Sequence, residues 1–106
     1  MEKVVTIDGK ETRFVANGAT PRLYRSMFQR DVFADMSKTA DKDGTILSAE
    51  VFENLAYVMA KQGGLEMSID DWLSSMSSPT AILEAVPEIF SLWAATTTTI
   101  VPGKKK

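Results

Sequence analysis

Residues 3–16, KVVTIDGKETRFVA, predict a β-hairpin at the start of an otherwise helical chain. Val5 and Ile7 lead into Asp8-Gly9, a dipeptide typical of a two-residue hairpin turn, and Phe14 lies on the return strand. Two strands alone are only marginally stable in water. The hairpin must therefore pack against helices supplied by the rest of the sequence.

Two longer helices are predicted next, and we expect them to form the central pair of the fold. The first covers residues 20–38, with Thr20 as its N-cap and apolar residues recurring at helical spacing. The second covers residues 48–62, with Ser48 as its N-cap and Gly63 just past its end.

Two shorter helical segments follow. Ser68, with Asp71 three residues later, forms a variant capping box that predicts the start of a third helix. A fourth helix is predicted after Ser78-Pro79. Pro87 should kink or split this fourth helix, because proline lacks the backbone donor and clashes with the preceding turn.

The sequence therefore predicts a mainly α (α+β) fold, in which an N-terminal β-hairpin packs on three to four helices. We expect one globular domain over residues 1–95 and a flexible basic tail over residues 96–106. The predicted core takes apolar residues from the hairpin and from each helix: Phe14, Leu23, Phe28, Val32, Phe52, Leu55, Val58, Leu73, Ile82, Val86, Ile89 and Phe90.

Composition narrows the chemistry that the chain can perform. Its 106 residues suit a single domain, and they include no cysteine and no histidine. Disulfides, zinc sites with nitrogen or sulfur ligands and nucleophiles activated by imidazole are therefore excluded. No apolar run approaches the roughly 20 residues of a membrane span, and the N-terminus does not resemble a signal peptide. We expect a cytosolic protein without catalysis, cofactors or membrane binding.

Charge is distributed unevenly along the chain. Residues 1–38 carry seven Lys or Arg against five Asp or Glu, residues 39–103 carry two against nine, and three lysines end the chain. This asymmetry favours self-association or docking to a charged protein partner, with ordinary solvated faces as the alternative. Nucleic-acid binding is disfavoured, because basic residues are few. The candidate partner-binding residues are Arg22, Arg25, Arg30, Lys104, Lys105 and Lys106.

Residues 39–50, TADKDGTILSAE, partly match an EF-hand calcium loop. Asp41, Asp43 and Glu50 occupy the third, fifth and twelfth positions of that loop. Its first position, however, is Thr39 where a carboxylate is expected, and no second loop is present to form the usual pair. We predict no metal site and keep a degenerate EF-hand-like calcium-binding protein as the alternative.

Five segments of the chain stand in a recognisable order: IDGKETRFVA, TPRLYRSMFQRDVFADM, FENLAYVMAKQ, DDWL and EAVPEIFSLW, followed by a lysine-rich end. In this order, which covers nearly the whole chain, they resemble the tail assembly chaperones of long-tailed bacteriophages. The resemblance implies a small, mostly helical protein of the host cell cytoplasm that binds the tape measure protein and helps to recruit tail tube subunits. It implies no metal and no catalytic residues. A small structural tail component retained in the virion is a further alternative.

The three terminal lysines require an A-rich run of codons, on which paired transfer RNAs can re-pair after slipping by one base. Through this resemblance the chain is similar to proteins made in two lengths, the longer by a programmed ribosomal frameshift near the end of the short reading frame. If the resemblance holds, Lys104–Lys106 mark such a site and the threonine-rich stretch before them is a linker. The alternatives are a solubilising tail or residues added for expression.

Overall fold

A computed structural model of the chain describes residues 1–36 and 49–98. Within these residues an antiparallel hairpin is followed by five α-helices and one 3-10 helix, as the sequence predicts for the fold class. The elements are β1 (Glu2–Ile7), β2 (Lys10–Val15), α1 (Thr20–Phe28), α2 (Val32–Met36), α3 (Ala49–Gln62), α4 (Ile69–Ser74), the 3-10 helix (Ala81–Ala85) and α5 (Val86–Thr98).

The hairpin forms where the Asp8-Gly9 dipeptide predicts it. Asp8 and Gly9 have φ angles of 55° and 81°, and a type I′ turn requires positive φ at both of its central residues. Ile7 consequently pairs with Lys10, and the register continues to the pairing of Glu2 with Val15. Alternation along the two strands turns Val5, Ile7 and Phe14 inward, where they are buried.

Helix α3 lies at the centre of the domain. Every residue from Asn54 to Ala60 is buried, and the helix contacts β2, α1 and α2. At its end, a Cβ on Gly63 would stand 2.1 Å from the backbone carbonyl oxygen of Arg13. Glycine is therefore required for α3 to approach β2 this closely.

The prediction of one helix over residues 20–38 is wrong, because the segment is broken in two. Helix α1 ends at Phe28, and Gln29 adopts a left-handed conformation (φ 61°) with its N–H donating to the carbonyl of Arg25. Helix α2 then begins at Val32, and the Asp31 carboxylate accepts from the N–H of Phe33 at 2.9 Å. A closing αL residue and a new capping aspartate together end one helix and start another.

Thr20 is also not the N-cap that the sequence suggests. It lies inside α1 and is fully buried, with Ala19 at the cap position. Its hydroxyl accepts from the N–H of Asn17 at 2.9 Å and donates to Gln62 at 2.6 Å. The side chain is thus occupied in joining α1 to the end of α3, which leaves it unable to cap its own helix.

The later helix boundaries follow the sequence more closely. The Ser68 hydroxyl accepts from the N–H of Asp71 at 3.1 Å, as the capping box predicts. The predicted fourth helix is split, with the 3-10 helix first and Pro87 in the opening turn of α5, where proline's missing N–H is not needed. Helix α5 continues to Thr98, beyond the predicted end of the domain at residue 95. Ser48 and residues 99–106 lie outside the described residues.

Seven of the predicted core residues are buried: Phe14, Val32, Phe52, Leu55, Val58, Ile82 and Ile89. The other five are only partly buried against them: Leu23, Phe28, Leu73, Val86 and Phe90. Tyr24, one of the largest fully buried side chains, was not among the predicted residues. Helix α1 is therefore turned so that Tyr24, rather than Leu23, faces the core.

Replacing Phe52 with alanine tests the packing around α3. The side chain is fully buried, and its ring meets that of Phe90 at 5.7 Å, so truncation should cost about 3–5 kcal/mol of unfolding free energy, measured by urea denaturation. Leu83→Ala is the control, since Leu83 is 37% exposed and should change stability much less. A loss below about 1 kcal/mol for Phe52→Ala would contradict this packing.

Candidate interaction surface

A buried carboxylate joins α1 to α2. Asp35 is 3% exposed, and its carboxylate accepts from the Tyr24 hydroxyl at 2.8 Å. The guanidinium of Arg30 donates to both oxygens of the same carboxylate, at 2.7 and 2.8 Å. A bidentate arginine and a tyrosine hydroxyl supply the hydrogen bonds that a buried carboxylate requires. This Tyr24–Asp35–Arg30 cluster fixes the direction of α2.

The cluster changes the role of one predicted partner-binding residue. Arg30 is committed to Asp35 within its own chain, and these hydrogen bonds raise the pKa of its guanidinium. Arg22 and Arg25 are exposed on α1, where a partner could reach them. The three arginines therefore do not form one free basic patch. Lys104, Lys105 and Lys106 lie outside the described residues.

With α2 held in this direction, an aromatic side chain stands at the surface. Phe33 is 50% exposed, and its ring is tilted against the ring of Trp93 on α5 at a centroid distance of 5.5 Å. Trp93 is itself partly buried against the core. We call Phe33 and Trp93 the α2–α5 surface. Aromatic side chains of this kind are enriched at protein interfaces.

The tip of the hairpin is bonded to the chain around the start of the 3-10 helix. The Asp8 carboxylate accepts from the N–H of Ser77 at 2.9 Å and from its hydroxyl at 2.7 Å, which lowers the pKa of Asp8. The N–H of Asp8 donates to Glu84 at 3.0 Å. Asp8 therefore has a structural role, since these bonds hold the hairpin tip against the chain around the 3-10 helix.

The described residues include one of the three candidate calcium ligands. Asp41 and Asp43 lie outside them, whereas Glu50 is exposed in the first turn of α3. Glu53, one turn further on, has a raised pKa because it is partly buried and because Glu50 lies nearby. Within residues 1–36 and 49–98, no group of three Asp or Glu side chains is arranged to hold a metal ion.

Comparison of the chain with protein-family models, curated proteins and solved structures finds no match. In the part of the chain that is described, none of the helices has the length and apolar character needed to cross a membrane. The candidate surface therefore rests on the geometry of this chain alone.

Arg22 and Arg25 were predicted from the sequence as candidate partner-binding residues, whereas Phe33 and Asp35 were not. Phe33 belongs to the apolar helical pattern of residues 20–38, and nothing in that pattern indicates that its side chain is exposed. One sequence feature does indicate this arrangement. Asp35 is a carboxylate within the apolar run VFADM, and it needs a partner if it is buried. Arg30, five residues earlier, is that partner.

The Tyr24–Asp35 hydrogen bond predicts instability in alkaline solution. Burial, reinforced by the bond to Asp35, raises the pKa of Tyr24 above its usual value of 10.0. An unfolded tyrosine loses its proton near pH 10 while the folded one keeps it, so this contribution is complete below pH 10 and declines above it. The slope should approach about 1.4 kcal/mol per pH unit.

Tyr24→Phe isolates this contribution from the titration of lysines. The variant should lose a constant amount of stability below pH 10, and its deficit relative to the natural protein should shrink as the pH rises further. Urea unfolding of both proteins between pH 8 and 11.5 measures the difference. Parallel stability curves over the whole range would show that Tyr24 does not carry the alkaline effect.

Proposed function

We propose that this protein is a tail assembly chaperone of a long-tailed bacteriophage, which binds the tape measure protein and aids polymerisation of the tail tube. The observation that carries the proposal is the order of the five segments from IDGKETRFVA to EAVPEIFSLW along nearly the whole chain. Host cell cytoplasm is the corresponding location.

The geometry is compatible with a protein that acts by binding alone. A chaperone of this kind needs a stable scaffold and exposed apolar surface for an aggregation-prone client. The buried α3 provides the scaffold, and the α2–α5 surface presents Phe33 to solvent. We propose that this surface contacts apolar segments of the tape measure protein.

Charge supplies the second part of the proposed contact. Arg22 and Arg25 are exposed on α1, the helix that the Tyr24–Asp35–Arg30 cluster joins to α2. Exposed arginines attract acidic segments over about a Debye length and steer their approach, while the apolar contact determines how long the complex lasts. The proposed binding should therefore weaken, but not disappear, at high salt.

Co-expression with the tape measure protein of the same phage tests the proposal. The tape measure protein should remain soluble and co-purify with this chain, and it should aggregate when expressed alone. Phe33→Ser should reduce co-purification about tenfold without lowering the melting temperature, because half of the side chain is already exposed. A tape measure protein that is equally soluble with and without this chain would contradict the proposal.

Two further variants distinguish specific binding at the α2–α5 surface from nonspecific hydrophobic association. Leu83→Ser removes a side chain that is 37% exposed on the 3-10 helix and should leave binding unchanged. Reversing the charge of Arg22 and Arg25 together should weaken binding in a salt-dependent manner. Arg30 is left intact, because replacing it would leave the buried Asp35 carboxylate without its charged partner. Equal loss with Leu83→Ser and Phe33→Ser would exclude the α2–α5 surface as the specific site.

The two alternatives predict different results for the same protein. A degenerate EF-hand would give saturable, magnesium-resistant changes in the fluorescence of Trp72 and Trp93 and in amide NMR shifts between Asp41 and Glu50 on addition of calcium. A structural tail component would be found at stoichiometric amounts in purified virions. Either outcome would replace the chaperone proposal.

A further inference from the structure

Strand β1 forms an edge of the two-stranded sheet, and its outward backbone groups can be identified. Met1 and Ala16 exchange two backbone hydrogen bonds, each of 2.8 Å, which makes them a hydrogen-bonded pair. In an antiparallel ladder such pairs alternate with pairs whose backbone groups point away. With the observed register, the N–H and C=O groups of Glu2, Val4 and Thr6 therefore point outward from β1.

Nothing in the described part of the chain bonds to these outward groups. The backbone hydrogen bonds formed outside the helices and strands involve none of Glu2, Val4 and Thr6. All three residues are exposed, and Val4 is 58% exposed at the centre of the strand. An open edge with an exposed β-branched residue is a template for the addition of another strand.

The other edge of the sheet is not equally open. The Arg13 guanidinium donates to the carbonyl of Gly63 at 3.4 Å, and the backbone of Arg13 lies against Gly63 at the end of α3. Helix α3 thus covers β2 at this point. Strand addition is consequently favoured at β1.

We propose that β1 pairs with β1 of a second copy of this chain, in antiparallel orientation about a two-fold axis through Val4. Val4 then faces Val4 of the second copy, and Glu2 faces Thr6. In this register every outward N–H and C=O of the three residues finds a partner across the axis. Any other register leaves part of this set unpaired.

The side chains support a second copy as the occupant. The pairing of Glu2 with Thr6 places no like charges opposite each other, and the central pair buries two exposed valines, which favour cross-strand contact. The carboxylate of Glu2 is already bonded to Arg13 in its own chain, and Lys3 is bonded to Glu88 at 2.9 Å. The edge therefore carries little uncompensated charge that would repel an identical strand.

The resulting dimer joins two hairpins into one four-stranded sheet. One pair of short strands buries less surface than a standard protein interface, so we expect dissociation constants on the order of 10 μM to 1 mM. Such a dimer is concentration dependent. The proposed dimer is independent of the proposed chaperone function, so it can be tested without the tape measure protein.

A charge-pair swap at the two-fold axis tests the proposal. Sedimentation velocity of the natural protein from 10 μM to 1 mM should show a monomer–dimer equilibrium. Val4→Lys and Val4→Glu should each weaken the dimer about tenfold, because each places like charges across the axis. An equimolar mixture of the two variants should restore it. Thr80→Lys, on an exposed residue outside β1, is the control and should dimerise normally.

Hydrogen exchange gives a second readout that does not depend on a substitution. The outward amides of Val4 and Thr6 should exchange rapidly in dilute protein and become protected at 1 mM, whereas the inward amides of Lys3 and Val5 should be protected at both concentrations. A protein that stays monomeric up to 1 mM would overturn the proposal. A dimer that survives Val4→Lys, or one that the mixture does not restore, would also overturn it.

Discussion

Helix α3 packs against β2, α1 and α2, and all residues from Asn54 to Ala60 are buried. A two-stranded hairpin and several short helices have little stability of their own. The hairpin, α1 and α2 gain stability by packing against α3, where Phe52, Leu55 and Met59 are fully buried. Gly63 permits this arrangement, because any side chain there would collide with the backbone of Arg13.

The elements that pack around α3 also bring polar side chains into the interior, where these side chains form hydrogen bonds with one another. The Tyr24–Asp35–Arg30 cluster joins α1 to α2, and Thr20 joins the start of α1 to Gln62 at the end of α3. Among the described residues, no buried side-chain nitrogen or oxygen lacks a hydrogen-bond partner. Paired buried groups specify one arrangement of the helices, since a displaced helix would leave a donor or a carboxylate without a partner.

The sequence predicted the features that depend on local chemistry. Asp8-Gly9 specified the hairpin turn, Ser68 capped α4, and Pro87 divided the fourth helical segment, each through its own backbone preferences. The break at Gln29 could not be predicted in this way, because glutamine has no special preference for a left-handed conformation. It accompanies the burial of Asp35, a tertiary event. The exposure of Phe33 depends on that break, and for this reason the candidate surface was only partly predictable.

The proposed interaction surfaces lie on elements that surround α3, so they depend on α3 being the most stable element of the domain. Native-state hydrogen exchange, followed by NMR in low concentrations of urea, tests this claim most directly. The amides of Leu55, Val58 and Met59 should exchange only through global unfolding, with a free energy equal to that of urea denaturation, and α2 should open at lower free energy. Exchange of the α3 amides through local opening, while the hairpin stays protected, would contradict the account.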